Sequence, residues 1–278
     1  MGMRVTTNIA ALNAQRNLVG SQQSMRDSFA KLASGSRINK AADDAAGLAI
    51  SENLKAQIRS ARQANRNAND GISMVQVAEG GLNEIGNIIV RMRELGIQAA
   101  SDTVGDRERS FINTEIQQLK NESERISRVT TWGTTKLLDG SSPAFDFQVG
   151  IFNNNFEDRI SFAAGENVAT LDALNMGGLD YTSKEGAQTA LETLDAAQVR
   201  VNEMRSNLGA LQNRLQSTTA NLAVSEENLS AANSRIRDTD VAEASAELTR
   251  NNILLQAGTA ALAQANQMNS VALSLIKG

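Results

Sequence analysis

Neither cysteine nor histidine occurs in this chain of 278 residues. Without cysteine there is no disulfide framework, no thiolate nucleophile and no cysteine-based zinc or iron–sulfur site. Without histidine there is no imidazole base, no imidazole metal ligand and no Ser-His-Asp triad. Carboxylates and lysines are a thin basis for an enzyme, so no catalytic residue, metal or cofactor is expected. Proline is nearly absent, Pro143 being the single one, and proline ends helices. Aromatics are 3% of the residues against 41% hydrophobic overall. The interior must therefore be built from Leu, Ile, Val, Ala and Met, which suits long helices meeting along narrow seams. The charge balance, 27 basic against 31 acidic residues, leaves no electrostatic footprint for nucleic acid. No run approaches the roughly 18 apolar residues that cross a bilayer, so no membrane insertion is expected. Asn8, Asn13, Gln15 and Arg16 interrupt the opening residues, which argues against a cleaved secretory signal.

What is present is periodicity. Leu194, Val201, Leu208, Leu215, Leu222, Leu229 and Ile236 recur every seven residues. A companion row, Ala190, Ala197, Met204, Leu211, Thr218, Ser225 and Ala232, fills the other seam position and turns polar toward its end. This is a sustained heptad, and a helix over 185–237 would run about 80 Å. Upstream, Ile72, Val75, Leu82, Ile85, Ile89, Met92 and Leu95 alternate by three and four with one gap at Ala78 or Glu79, and a weaker run extends back through Leu54, Ile58 and Ala68. A third helix is read over 106–129, with Ile112, Ile116, Leu119 and Ile126 on one face. Gly80-Gly81 inside a helical run costs about 1 kcal/mol per glycine relative to alanine, and close approach of a neighbouring helix is the expected reason.

Between 130 and 183 the pattern changes. Trp132-Gly133, Asp139-Gly140-Ser141-Ser142-Pro143 and Gly165 are turn signals. Phe145, Phe147 and Val149 alternate with polar residues, and Ile160 and Phe162 flank Ser161. One small antiparallel β element is expected, with strands near 144–152 and 158–162.

The two ends look like a matched pair. Val5, Ile9, Leu12, Val19, Met25, Phe29 and Leu32 read as a broken seam, as do Val241, Ala244, Leu248, Leu255, Leu262, Ala265, Ala272 and Ile276. Both are diluted by Asn, Gln, Thr and Ala, and seams this weak do not hold lone helices. Ends that order only against neighbours are expected of a protein built to polymerise. Between helices, Ser34-Gly35 reads as a break and Asp43-Asp44 as an acidic helix start that complements the helix dipole. Arg91 and Glu115 read as charge on a helix face beside the apolar row that holds Leu95.

Several long runs resemble bacterial flagellin. They are Thr7-Asn8-Ile9-Ala10-Ala11-Leu12-Asn13-Ala14-Gln15-Arg16, the run from Leu32-Ala33-Ser34-Gly35-Ser36-Arg37-Ile38-Asn39 through Asp43-Asp44 to Ile50, and Asn65-Arg66-Asn67-Ala68-Asn69-Asp70-Gly71. Near the other end stand Leu208-Gly209-Ala210-Leu211-Gln212-Asn213-Arg214-Leu215, Ser234-Arg235-Ile236-Arg237-Asp238-Thr239-Asp240 and Ile253-Leu254-Leu255-Gln256-Ala257-Gly258-Thr259. Together they frame nearly the whole chain, leaving the stretch from about 165 to 183 unmatched. Gly81 and Gly96 stand where Ala is common in that family.

The resemblance implies a mainly α fold: long helices in a coiled-coil-like bundle, paired terminal helices and one small β-hairpin element. Residues 1–44 and 237–278 would form a terminal coiled-coil domain, the inner core of a filament. Residues 45–236 would form a helical-bundle domain with its β-hairpin near 136–162, without variable outer domains. Polymerisation would rest on Ile9, Leu12, Val19, Phe29, Leu32, Leu248, Leu255, Leu262 and Ile276. The resemblance further implies a secreted, extracellular, motility-related homopolymer. Its partners would be the flagellar type III export apparatus, an export chaperone, and the filament cap and hook-junction proteins. It also implies that Arg91, Leu95 and Glu115 form a subunit-contact patch open to Toll-like receptor 5. A hook–filament junction protein of related architecture and a secreted coiled-coil effector are the alternatives.

Overall fold

The computed structural model describes the backbone of residues 7–277 and the side chains of residues 7–267. Val5, Ala272 and Ile276, expected in the terminal seams, fall outside the described side chains. In chain order the helices are α1 (Ile9–Ser34), α2 (Ala45–Ala99), α3 (Asp106–Val129), α4 (Lys184–Arg237) and α5 (Val241–Lys277). Between α3 and α4 lie β1 (Thr131–Trp132), β2 (Thr135–Lys136), β3 (Phe145–Gln148) and β4 (Arg159–Phe162). The fold is mainly α, as the heptads require. Two compact units divide it, Met1–Ala56 with Asn228–Gly278, and Gln57–Glu227.

Polar caps set the helix starts. Asn8 Oδ1 accepts from Ala11 N–H at the head of α1, and α1 ends at Gly35, whose φ is 68°. Asp44 Oδ1 accepts from Gly47 N–H ahead of α2. Asp240 Oδ1 accepts from Ala242 and Glu243 N–H ahead of α5. Each carboxylate or amide meets a donor that the first turn leaves open.

In the unit spanning Gln57–Glu227, α2, α3 and α4 share one hydrophobic core. On α4 the expected row is buried from Leu194 through Leu215, whereas Leu222, Leu229 and Ile236 are half-buried. The polar companion row thus marks a thinner seam. On α2 the expected gap closes: Ala78 is fully buried, and the 3–4 alternation continues from Ala64 through Gly71, Leu82 and Ile89 to Ala99. Arg109 of α3 is buried where α2 ends. Its Nε–H donates to Ala99 O at 2.9 Å and its Nη2–H to Ser101 O at 3.0 Å, with Asp106 on Nη1 at 2.8 Å. It satisfies carbonyls that a helix end leaves open.

Two features correct the β expectation. There are two small antiparallel pairs, β1 with β2 around Gly133 and β3 with β4. The larger pair is also shorter than the alternation implied, because Asp158 bends the chain out of it. Its carboxylate accepts from Phe152 N–H and Asn154 N–H, and its carbonyl from Val149 and Gly150 N–H. The hairpin rests on α2, where Asn67 donates to Gln148 O and Gly71 leaves room for the Phe147 ring.

The segment after β4, which matched nothing in the sequence, belongs to the core. Ala169, Leu174, Met176, Leu179 and Tyr181 are buried in it. One stripe of α3 straps its backbone: Asn113 accepts from Tyr181 N–H, Gln117 donates to Leu179 O, Lys120 donates to Gly177 O at 2.7 Å, and Glu124 accepts from Leu171 N–H. Burial pulls the Lys120 ammonium below its ordinary pKa, against the pull of Asp180. Burial also pushes the Tyr181 phenol up to about 12.

The glycine expectation holds in part. A Cβ on Gly81 would stand 2.7 Å from Thr130 Oγ1 and 2.8 Å from Leu138, so the close neighbour is the turn after α3 and not a helix. Gly80 has open space around it. A Cβ on Gly96 would stand 3.0 Å from both Leu191 and Tyr181, so this glycine seats the buried ring. Gly80→Ala is therefore expected to stabilise the chain by up to about 1 kcal/mol through helix propensity. Gly81→Ala is expected to destabilise it by about 1–3 kcal/mol through overpacking. Urea unfolding of the two variants checks the opposite signs.

Candidate assembly surfaces

In the unit formed by the two chain ends, α1 and α5 pack closely side by side. The residues shielded between them are Ala11, Ala14, Leu18, Ser21, Met25, Ser28 and Leu32 on α1. On α5 they are Ala244, Leu248, Asn251, Leu255, Gly258, Leu262 and Ala265. Both rows alternate strictly by three and four. Small side chains at these positions let the backbones approach.

This corrects the seam read from the sequence. Leu32, Leu248, Leu255 and Leu262 face the partner helix, but Ile9, Leu12, Val19 and Phe29 do not. Those four are exposed, Ile9 at 57% and Phe29 at 64%. The physical reason is the seam's smallness: hydrophobicity singles out the bulky residues, while alanine and serine occupy the heptad positions. Val241, Ile253 and Leu254 are likewise exposed on α5. The terminal pair therefore carries a second set of large apolar side chains on its outside.

The turns that join the terminal helices to α2 and α4 clasp each other. Ser36 and Asp238 form an antiparallel bridge. Arg37 N–H donates to Arg237 O at 2.6 Å, Thr239 N–H to Gly35 O at 3.0 Å, and the Arg37 guanidinium to Ile236 O at 2.8 Å. Ile38 is buried, and a Cβ on Gly47 would run into its side chain. Arg237 bonds the Glu52 carboxylate, and Ser51 donates to Asn233. Asp43 and Asp44 have separate tasks: Asp44 caps α2, while Asp43 Oδ2 accepts from Asn39 N–H at 3.0 Å and Lys40 N–H at 2.9 Å. Those two backbone donors, Lys40 first, hold the Asp43 carboxyl below its ordinary pKa. The Arg237 bond does the same for Glu52.

On the outer faces of α2 and α3, Arg91 bridges Glu94 and Glu115, each at 3.1 Å. Hydrogen bonds to Glu94 and then Glu115 raise the Arg91 pKa further. All three are exposed, so solvent screening leaves these pairs little weight in the stability of the fold. Arg91 and Glu115 thus meet as expected, but Leu95 is 4% exposed and belongs to the core. It sits on the α2 seam row and points inward. Phe111, one turn before Glu115, is the exposed apolar residue on that face of α3, at 65%. Among the described residues no group of three or more potential metal-ligating side chains occurs. No helix there is long and apolar enough to cross a membrane.

Comparison with known proteins matches this architecture. Residues 5–143 match the model of the bacterial flagellin N-terminal helical region, and 191–276 that of the C-terminal helical region. A flagellin of Halalkalibacterium halodurans is 44% identical over 275 residues, covering 99% of this chain and 100% of that one. A flagellin of Bacillus subtilis is 41% identical over 304 aligned residues, again with 99% and 100% covered. The flagellar filament 33 kDa core protein of Treponema phagedenis is 39% identical with the same coverage. The crystal structure of Bacillus cereus flagellin superposes with a TM-score of 0.50 at 26% identity, over 56% of this chain and 88% of that one. A putative hook-associated protein of Vibrio parahaemolyticus reaches 0.60 at 13% identity, over 70% and 100% respectively, a likeness of fold alone.

The clasp is expected to loosen in acid. Asp43 and Glu52 have folded-state pKa values below their unfolded ones, so their contribution is complete above about pH 4–5 and is lost as pH falls through the folded values. Amide exchange at Asn39 and Lys40, corrected for intrinsic rates, should rise below that range in the parent. In Asp43→Asn it should already be raised at neutral pH.

Proposed function

The chain belongs to the bacterial flagellin family, a structural subunit of the flagellar filament used for motility, and from that premise we propose which of its surfaces build the filament. The terminal pair, residues 1–44 and 237–278, forms the inner layer, and residues 45–236 the layer outside it. The observation that carries this is the double apolar character of the pair. Leu18, Leu32, Leu248, Leu255 and Leu262 pack within one chain, whereas Ile9, Leu12, Val19 and Phe29 remain for neighbouring copies. Burying them on association supplies the non-directional attraction, and it compensates ordering of about 1–2 kcal/mol per residue in backbone entropy. No catalysis is part of this role, and no cofactor is required.

Export through the flagellar type III apparatus with a chaperone, and assembly between hook-junction and cap proteins, complete the proposal. The working location is the extracellular filament. Purified subunits seeded with filament fragments should grow long filaments, and should stop doing so when residues 255–278 are removed. The terminal helices should resist protease in filaments and yield to it in free subunits. Short or absent growth of the intact chain would instead support a junction protein, and equal protease resistance in both states would overturn the inner-layer assignment.

The outer face of α2 and α3 is proposed as a contact between subunits that Toll-like receptor 5 recognises on free chains. Arg91 and Glu115 are its charged members, and Phe111 takes the apolar place that buried Leu95 cannot fill. An arginine and an aromatic ringed by polar groups fit the make-up of an interface hot spot. Reporter cells bearing the receptor should respond to free subunits, with the response falling at least roughly tenfold for Arg91→Ala, the loss expected of a hot-spot residue. A silent parent, or an unaffected variant, would remove the assignment.

A further inference from the structure

The seam between α1 and α5 holds a hydrogen-bond donor with nothing to receive it. Asn251 occupies a seam position, is 8% exposed, and its Nδ2 has no hydrogen-bond partner. A buried amide in that state costs free energy, and the side chain facing it decides whether it is ever met. The clasp between the Ser36 and Asp238 turns fixes the alignment of the two helices. Within that alignment Leu18 Cγ lies 3.2 Å from where a Cβ on Gly258 would stand. Ser28 Oγ–H donates to Glu247 Oε2 at 3.5 Å. Advancing along α1 means retreating along α5, so the pair is antiparallel. One heptad on from Leu18 stands Met25, and one heptad back from Gly258 stands Asn251. Met25 and Asn251 therefore share a layer of the seam.

Met25 also differs from its fellow methionines. Met74, Met92, Met176 and Met204 lie in the central core and are at most 4% exposed, whereas Met25 is half-buried. Among the described residues it is the methionine that a small oxidant reaches. Its thioether sulfur is only a weak acceptor, and the amide beside it stays unmet. A peroxide changes that. One oxygen atom passes to Met25 Sδ: the sulfur lone pair forms the S–O bond as the O–O bond breaks, and the peroxide is reduced to water. A sulfoxide is polar and ordinarily disrupts an apolar seam. Here the new oxygen is a strong acceptor in the layer that holds the unmet N–H donor.

We propose that Met25 is an oxidation site whose sulfoxide the terminal pair houses through a hydrogen bond from Asn251 Nδ2. The pair keeps its packing after the oxidant has acted, where a leucine at 251 would leave the new oxygen unmet. That oxidised subunits remain able to enter a filament rests on the filament reading above; the site itself does not.

The absence of cysteine makes the test direct. Ser28→Cys with Glu247→Cys is prepared in the full chain, alone and together with Asn251→Leu, Met25→Leu or both. With the disulfide closed, free subunits are treated with hydrogen peroxide until peptide masses show Met25 converted. They are then brought to disulfide equilibrium with glutathione, which reads how far the two helices stay paired. Met25 should convert faster than Met74, Met92, Met176 and Met204. Oxidation should lower the disulfide equilibrium constant by less than about threefold with Asn251, and by at least roughly tenfold with Asn251→Leu, the scale of one unmet buried polar group. Neither chain with Met25→Leu should respond to peroxide. A loss that Asn251→Leu does not deepen overturns the proposal, as does a Met25 that converts no faster than the buried four. A response that survives Met25→Leu assigns the effect to another methionine and overturns it equally. Failure of untreated subunits to extend seeds would count against the filament reading and leave these constants untouched.

Discussion

A helix of more than fifty residues stays in contact with its neighbours only if one narrow stripe of its surface is kept dry along most of its length. In α2 and α4, of 55 and 54 residues, that stripe advances by threes and fours, the spacing that keeps side chains on one face. The rest of the central unit is arranged around those stripes. Arg109 closes the turn at the end of α2, the hairpin sits where Asn67 and Gly71 accept it, and the segment after β4 fills the space that three helices leave. A chain almost free of proline and poor in aromatics is what such continuous stripes demand.

Small residues decide how closely each pair of elements can meet. Gly71 admits Phe147, Gly96 admits Tyr181 and Gly258 admits Leu18. In the terminal pair, alanine, serine and glycine take so many seam positions that the buried apolar area is modest while the backbones come close. The larger apolar side chains are left on the outside.

Where heptads end, polar side chains do the organising. The segment between β4 and α4 has little regular structure, so its backbone groups need partners from elsewhere. Asn113, Gln117, Lys120 and Glu124 supply them from one face of α3. The clasp between the Ser36 and Asp238 turns works on the same basis, with Asp43, Arg37 and Arg237 answering main-chain groups or each other's partners.

Periodicity and composition determined the helices, their approximate ends, the α4 seam and the exclusion of cysteine or histidine chemistry. These are local properties, set by which residues recur on one face of a helix and by which side chains exist at all. The same reading failed where the decision was non-local. It took Ile9, Leu12, Val19 and Phe29 for seam residues, because bulk signals burial only until a partner's position is known. The periodicity placed Leu95 in its buried row correctly, and only the family resemblance gave it to an exposed patch. It left the segment from 165 to 183 without a place, since alternating singletons such as Leu174, Met176, Leu179 and Tyr181 form no period. Their segment is strapped by a row of polar side chains 47 to 68 residues earlier, and only the tertiary structure brings the two together.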